Sequence, residues 1–162
     1  KCSGLSDTFF ITFYSENNMS NINIGNKTEK NTVSIFRSHN YWVYNTPHKT
    51  NGQPVDIICV RGCPDMVWLL DAKHLDSSSA SFPFSRIEPN QETTLLYASE
   101  FAKLSKERLG FAIEWDRTKE VYFLSYRQYE EEKRNAKNSV KIEELPTLEE
   151  RIRNETKNNN IK

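Results

Sequence analysis

Two short apolar segments, Val55–Val60 and Met66–Lys73, stand on either side of Gly62-Cys63-Pro64-Asp65, and this arrangement constrains the fold more than any other part of the chain. Each segment has the length and the β-branched or aromatic content of a strand, and the Gly and Pro between them make the pair a β-hairpin. A hairpin this apolar has to be covered, so it needs further strands beside it and helices above it. Tyr41–Asn45, Gly110–Trp115 and Val121–Ser125 supply the strands, the last two joined by the charged turn 116–119.

Helical periodicity fills the rest. Glu29, Val33 and Phe36 follow i, i+4, i+7 in the segment that runs on from Ile24, so they share one helix face. Glu88-Pro89 opens a second helix that is predicted to reach about Ser105, with Pro tolerated in the first turn. Tyr126–Asn138 reads as a charged helix. Thr147–Arg153 reads as a short terminal one, with Thr147 as N-cap and Glu150 three residues on. Thr46–Pro54 and Ser77–Ser81 are loops by composition. The order is α-β-β-β-α-β-β-α, which predicts an α/β (α+β) fold with a mixed central β-sheet flanked by helices. Residues 1–20 are expected to be an N-terminal extension, with Met19 as the natural start, 21–153 one domain, and 154–162 a polar, frayed C-terminal tail.

Composition narrows the function. With 22 basic and 22 acidic residues the chain has no net charge, which excludes a strongly basic DNA coat but not an enzyme that acts on DNA. Cys2, Cys59 and Cys63 form no disulfide framework. Cys59 and Cys63 have no second Cys or His pair to complete a zinc set, His74 being the one nearby candidate, so free thiols in a reducing cytoplasm are expected. The apolar run Phe9–Tyr14 is too short for a membrane span.

The chemistry lies at one end of the hairpin. Along Met66–Lys73 side chains alternate, so Asp71 and Lys73 share a face. In an antiparallel pair the start of the first strand lies beside the end of the second, which brings Asp56 near both. Two carboxylates and a lysine at the end of an otherwise apolar hairpin are costly without a task or a metal. Two carboxylates suit Mg²⁺, and a lysine beside them suits the positioning of a water at a phosphodiester. A surface ion pair is the competing reading. On the second helix, Gln91, Leu95, Ala98 and Ala102 follow one stripe, so Gln91 is aimed at the sheet from the first turn. Glu29 heads the equivalent stripe on the first helix. For both, a capping or core-edge role stays open.

Over about Gly25 to Tyr129 the chain resembles the RecU-like branch of the PD-(D/E)XK, or restriction endonuclease-like, nucleases: Holliday junction resolvases with shorter phage or bacterial relatives. The residues that carry the resemblance are Pro54-Val55-Asp56, Leu70-Asp71-Ala72-Lys73, and Ser81-Phe82-Pro83-Phe84-Ser85-Arg86-Ile87-Glu88-Pro89-Asn90-Gln91, the last similar to the family's S-F-P-x-x-x-I-x-x-H-Q signature. The resemblance implies a restriction endonuclease-like core. It further implies Asp56 and Asp71 as ligands of Mg²⁺, with Mn²⁺ able to substitute, and the Ala72 carbonyl facing the metal. Lys73 would be the catalytic lysine, Gln91 the helix residue at the site and Glu29 the first-helix acid. A Mg-dependent DNA endonuclease acting on four-way junctions, as a cytoplasmic homodimer, follows as the expectation. Departures exist: Asn90 stands in place of His, Asp71 in place of Glu, and Thr46–Pro54, with His48 and Lys49, in place of a long basic stalk. A restriction-like nuclease on linear DNA, or a non-catalytic DNA-binding or interaction module on the same fold, are the alternatives.

Overall fold

The computed structural model describes residues 21–47, 54–62 and 66–159. The extension 1–20 with Cys2 and Met19, the loop positions His48 and Lys49, and Cys63 of the hairpin turn lie outside the described residues. The chain runs α1 (Asn21–Ser38), β1 (Trp42–Asn45), β2 (Ile57–Val60), β3 (Val67–Leu75), β4 (Ser81–Pro83), α2 (Pro89–Glu100), β5 (Leu109–Trp115), β6 (Glu120–Ser125), α3 (Tyr126–Arg134), β7 (Ser139–Lys141) and α4 (Leu148–Asn159). No described helix is long and apolar enough to cross a membrane.

The hairpin is the predicted one. β2 and β3 pair antiparallel, with Ile57 opposite Leu70 and Val60 opposite Val67. β1 adds to the outer side of β2, while β5 pairs parallel to β3, giving the sheet order β1-β2-β3-β5-β6. A parallel neighbour cannot be reached by a tight turn, so β4 and α2 form the crossover between β3 and β5. The sheet is mixed and has helices on both faces, as the sequence reading expected.

Two cores result, one on each face. On one, Phe82, Leu95, Phe111, Ile113, Tyr129 and Val140 pack together, so α2, α3 and the β4–β7 ribbon cover β5 and its neighbours. On the other, Val33 and Phe36 of α1 and Ile152 of α4 meet Trp68, Leu70, Ala112 and Phe123. β5 is buried along its whole length because it is covered on both faces. Gly110 is required there. At φ 154° a Cβ on it would meet the Leu124 carbonyl oxygen of β6 at 2.2 Å.

Several boundaries differ from the sequence reading for local reasons. β4 and β7 pair across the fold, Phe82 opposite Val140, in segments to which the sequence assigned no strand. α2 stops at Glu100 rather than near Ser105, and Lys103 takes the left-handed conformation at φ 56°. α3 stops at Arg134, two residues before Ala136 at φ 58°. α4 has the expected cap, with Thr147 N donating to Glu150 Oε2 (3.0 Å) and Glu150 N to Thr147 Oγ1 (3.3 Å). It does not fray at Asn154 but continues to Asn159, because Glu155 pairs with Arg108 at 2.9 Å and Arg151 at 3.2 Å.

Candidate active site

The antiparallel register sets the first contact. Ile57 faces Leu70, so one step further Asp56 stands opposite Asp71, and paired residues project from the same face of a sheet. Alternation then puts Lys73 on that face too. Asp56 closes the ladder twice: its amide donates to Leu70 O (3.0 Å), and its carboxylate Oδ2 accepts the Ala72 amide at 2.7 Å. Since N–H and C=O of one strand residue point to the same side, the Ala72 carbonyl is directed toward the Asp56 side, beyond the last rung.

Gln91 reaches this group from the other side. It is the third residue of α2, buried, and its side chain serves two structures at once. Its Oε1 accepts the Glu88 amide at 3.0 Å, which caps the helix start. The same oxygen accepts from Lys73 Nζ at 3.1 Å, while Nε2 donates to Asp71 Oδ1 at 2.6 Å. Capping and site contact, which the sequence left as alternatives, therefore coexist. The Ser81–Gln91 segment delivers this residue: Phe82, Phe84 and Ile87 are buried anchors, and Arg86 Nη1 bonds the His74 carbonyl at 2.6 Å.

The electrostatics are strained at Asp71. It is 1% exposed, with Lys73 Nζ 2.7 Å from Oδ2 as an ion pair and the ammonium also bonded to Gln91. Burial, and next the neighbouring Asp56 carboxylate, push its carboxyl up to about 7, against the pull of Lys73. This is a pair of facing carboxylates whose repulsion one lysine offsets incompletely. A divalent cation with oxygen ligands fits such a pair, since it would remove the repulsion that now favours a proton.

Asp56, Asp71, Ala72, Lys73 and Gln91 thus come together. Glu29 is half-buried on α1, a helix that packs on the other face of the sheet through Val33 and Phe36. The other sequence candidates resolve without a site. Lys106 pairs with Glu130 (2.9 Å) and Arg108 with Glu155 (2.9 Å), so both cations are engaged within the fold. His74 Nε2 lies 3.1 Å from Asp116 Oδ2, Cys59 is a buried thiol, and no group of three or more metal-binding side chains occurs among the described residues.

Two features went unread in the sequence. Glu114, inside β5, is 1% exposed, with Asn31 Nδ2 donating to Oε1 at 3.0 Å and no partner for Oε2 among the described residues. In the sequence Trp42 and Tyr44 read only as strand formers, yet they are 63% and 44% exposed. Their i, i+2 spacing on a strand was the available signal for a shared aromatic face.

The architecture defines a restriction endonuclease-like fold. Among solved structures, it is similar to Hjc, a Holliday junction resolvase from the archaeal hyperthermophile Archaeoglobus fulgidus, with a TM-score of 0.57. The likeness covers 79% of this chain and 99% of that one at 12% sequence identity, so it concerns the fold. No family model and no curated protein matches the sequence.

Proposed function

We propose that the protein is a divalent-metal-dependent DNA endonuclease that hydrolyses phosphodiester bonds in branched DNA, in the manner of a compact, RecU-like resolvase. The carrying observation is the convergence of Asp56, Asp71, Lys73 and Gln91 at the open end of the β2–β3 ladder. The likeness of the fold to a Holliday junction resolvase supports the choice of substrate.

In this reading Asp56, Asp71 and the Ala72 carbonyl would hold Mg²⁺ or Mn²⁺. When bound, the metal stabilises charge at the scissile phosphate and makes a water acidic enough to attack. The chain's own residues do the rest. Lys73 orients the attacking water and faces the negative charge that develops on the phosphoryl oxygens. Gln91 fixes Lys73 through Oε1 and Asp71 through Nε2, so ammonium and carboxylate keep their spacing when the ion pair between them loosens. Because α2 is capped by the same side chain, the helix holds Gln91 against the sheet. Glu29 is the candidate for a further acid from α1. Symmetric cutting of a junction requires two such sites, hence a homodimer.

Cleavage of end-labelled four-way junction, flap and linear duplex in Mg²⁺ or Mn²⁺, beside Lys73→Ala and an EDTA control, tests this. Metal-dependent junction cutting that the substitution abolishes is expected. Equal cutting of all three substrates would make it a general endonuclease. Folded protein that binds DNA and cuts none of them would leave a non-catalytic module.

A further inference from the structure

Trp42 and Tyr44 lie on the same sheet face as the candidate site. Tyr44 is the partner of Ile58, and Trp42 of Val60. Ile58 packs with Leu69 on the α2 side, whereas Val43, between the two aromatics, packs on the α1 side. Positions 42, 44, 58 and 56 therefore project from one face, and Asp56 is among them. One residue past β1, Thr46 N donates to the Asp56 carbonyl at 2.9 Å, so the strand that carries the aromatics runs straight to the site. Tyr44 is two residues, roughly 7 Å, from that level.

The two rings stack on each other and stand open to solvent. They are parallel within 7°, with centroids 6.0 Å apart, on the edge strand of the sheet. On the α1 side of that edge, Lys30, Arg37 and Asn45 line a hollow of about 400 Å³. Exposed aromatic rings, with basic side chains across the sheet edge, suit a nucleic acid strand whose bases are unpaired, since bases stack on aromatics while cations follow the phosphates. A second copy of the chain is a poorer occupant. Two aromatic side chains bury roughly 150–250 Å² each, well short of the ~800 Å² per partner of a stable interface.

We propose that Trp42 and Tyr44 are a base-stacking platform that holds unpaired nucleotides next to the scissile phosphate. The proposal rests on the nuclease reading and adds the form of substrate: DNA with a single-stranded portion at the cut. A strand lying over β1 directs its backbone along the sheet to Asp56 and Asp71.

The test is built into the protein, because Trp68 and Trp115 are 0% and 2% exposed and Trp42 is open. In EDTA, a 15-mer oligothymidylate is expected to quench the long-wavelength tryptophan emission and to shield it from iodide. Trp42→Leu/Tyr44→Leu is expected to weaken oligothymidylate binding at least roughly tenfold, and Trp42→Phe/Tyr44→Phe to restore most of it. Binding of the blunt duplex stays unchanged in both. Undiminished oligothymidylate binding by the leucine pair, or an equal loss for duplex, overturns the platform. So does a parent dimer that the leucine pair splits, as judged by sedimentation, with its affinity for oligothymidylate intact. Where the parent cuts duplex but the leucine pair binds oligothymidylate as the parent does, only the platform falls. Where the parent neither cuts nor binds any of these DNAs, the nuclease reading falls with it.

Discussion

Asp71 and Glu114 sit on adjacent strands, each 1% exposed, and face opposite sides of the sheet. Asp71 is met by Lys73, Gln91 and Asp56, from three elements. Glu114 is met by Asn31 through one oxygen, and its other oxygen has no partner among the described residues. Both pay for desolvation, yet only one stands where donors, a like charge and a backbone carbonyl direction converge at the end of a strand ladder. Burial of a carboxyl is therefore a weak marker by itself. Convergence of unlike groups upon it separates a candidate site from an isolated buried acid.

The widest separation between the two is expected in activity. Asp71→Asn should lower metal-dependent cleavage by at least about a thousandfold, while Glu114→Gln cuts at close to the parent rate. Equal losses in the two would erase the distinction. Stability comes next. Asn31→Ala removes the amide donor that reaches Glu114 Oε1 and is expected to cost about 2 kcal/mol in urea unfolding. A cost below ~0.5 kcal/mol would mean that water already serves this carboxyl. The smallest effect concerns pH. The folded carboxyl of Asp71, near 7, lies above its unfolded value, so the folded state binds more protons between the two. Metal-free protein should then lose about 1 kcal/mol of stability from pH 6 to pH 8. Asp71→Asn should flatten that slope, and added Mg²⁺ should offset it at pH 8. An equal slope in Asp71→Asn would assign it to another group.

Period-two alternation made one grouping legible, since Asp71 and Lys73 share a face in any strand, whereas the face of Asp56 depended on a register that the Ile57–Leu70 pairing sets. Gln91 was legible from its helical stripe. Glu114 was not, since a polar residue between Ile113 and Trp115 reads as the wet side of a strand, and the sequence does not say that β5 is covered on both faces. The β4–β7 ribbon was hidden for another reason. Three-residue strands with distant partners carry no periodicity of their own. The last turns of α4 depend on Arg108, an ion pair from a remote segment that composition cannot reveal. The exposure of Trp42 and Tyr44 follows from where α2 lies rather than from their neighbours in the chain.

The double duty of Gln91 has a consequence for how the chain assembles. A one-residue slip of β3 would turn Asp71 and Lys73 to the α1 face and leave the Gln91 side chain facing apolar residues. The amide that holds the first turn of α2 would then lose the partners that hold it in place. The helix thus proofreads the strand: its start is secured only when the reactive residues have arrived on the correct side.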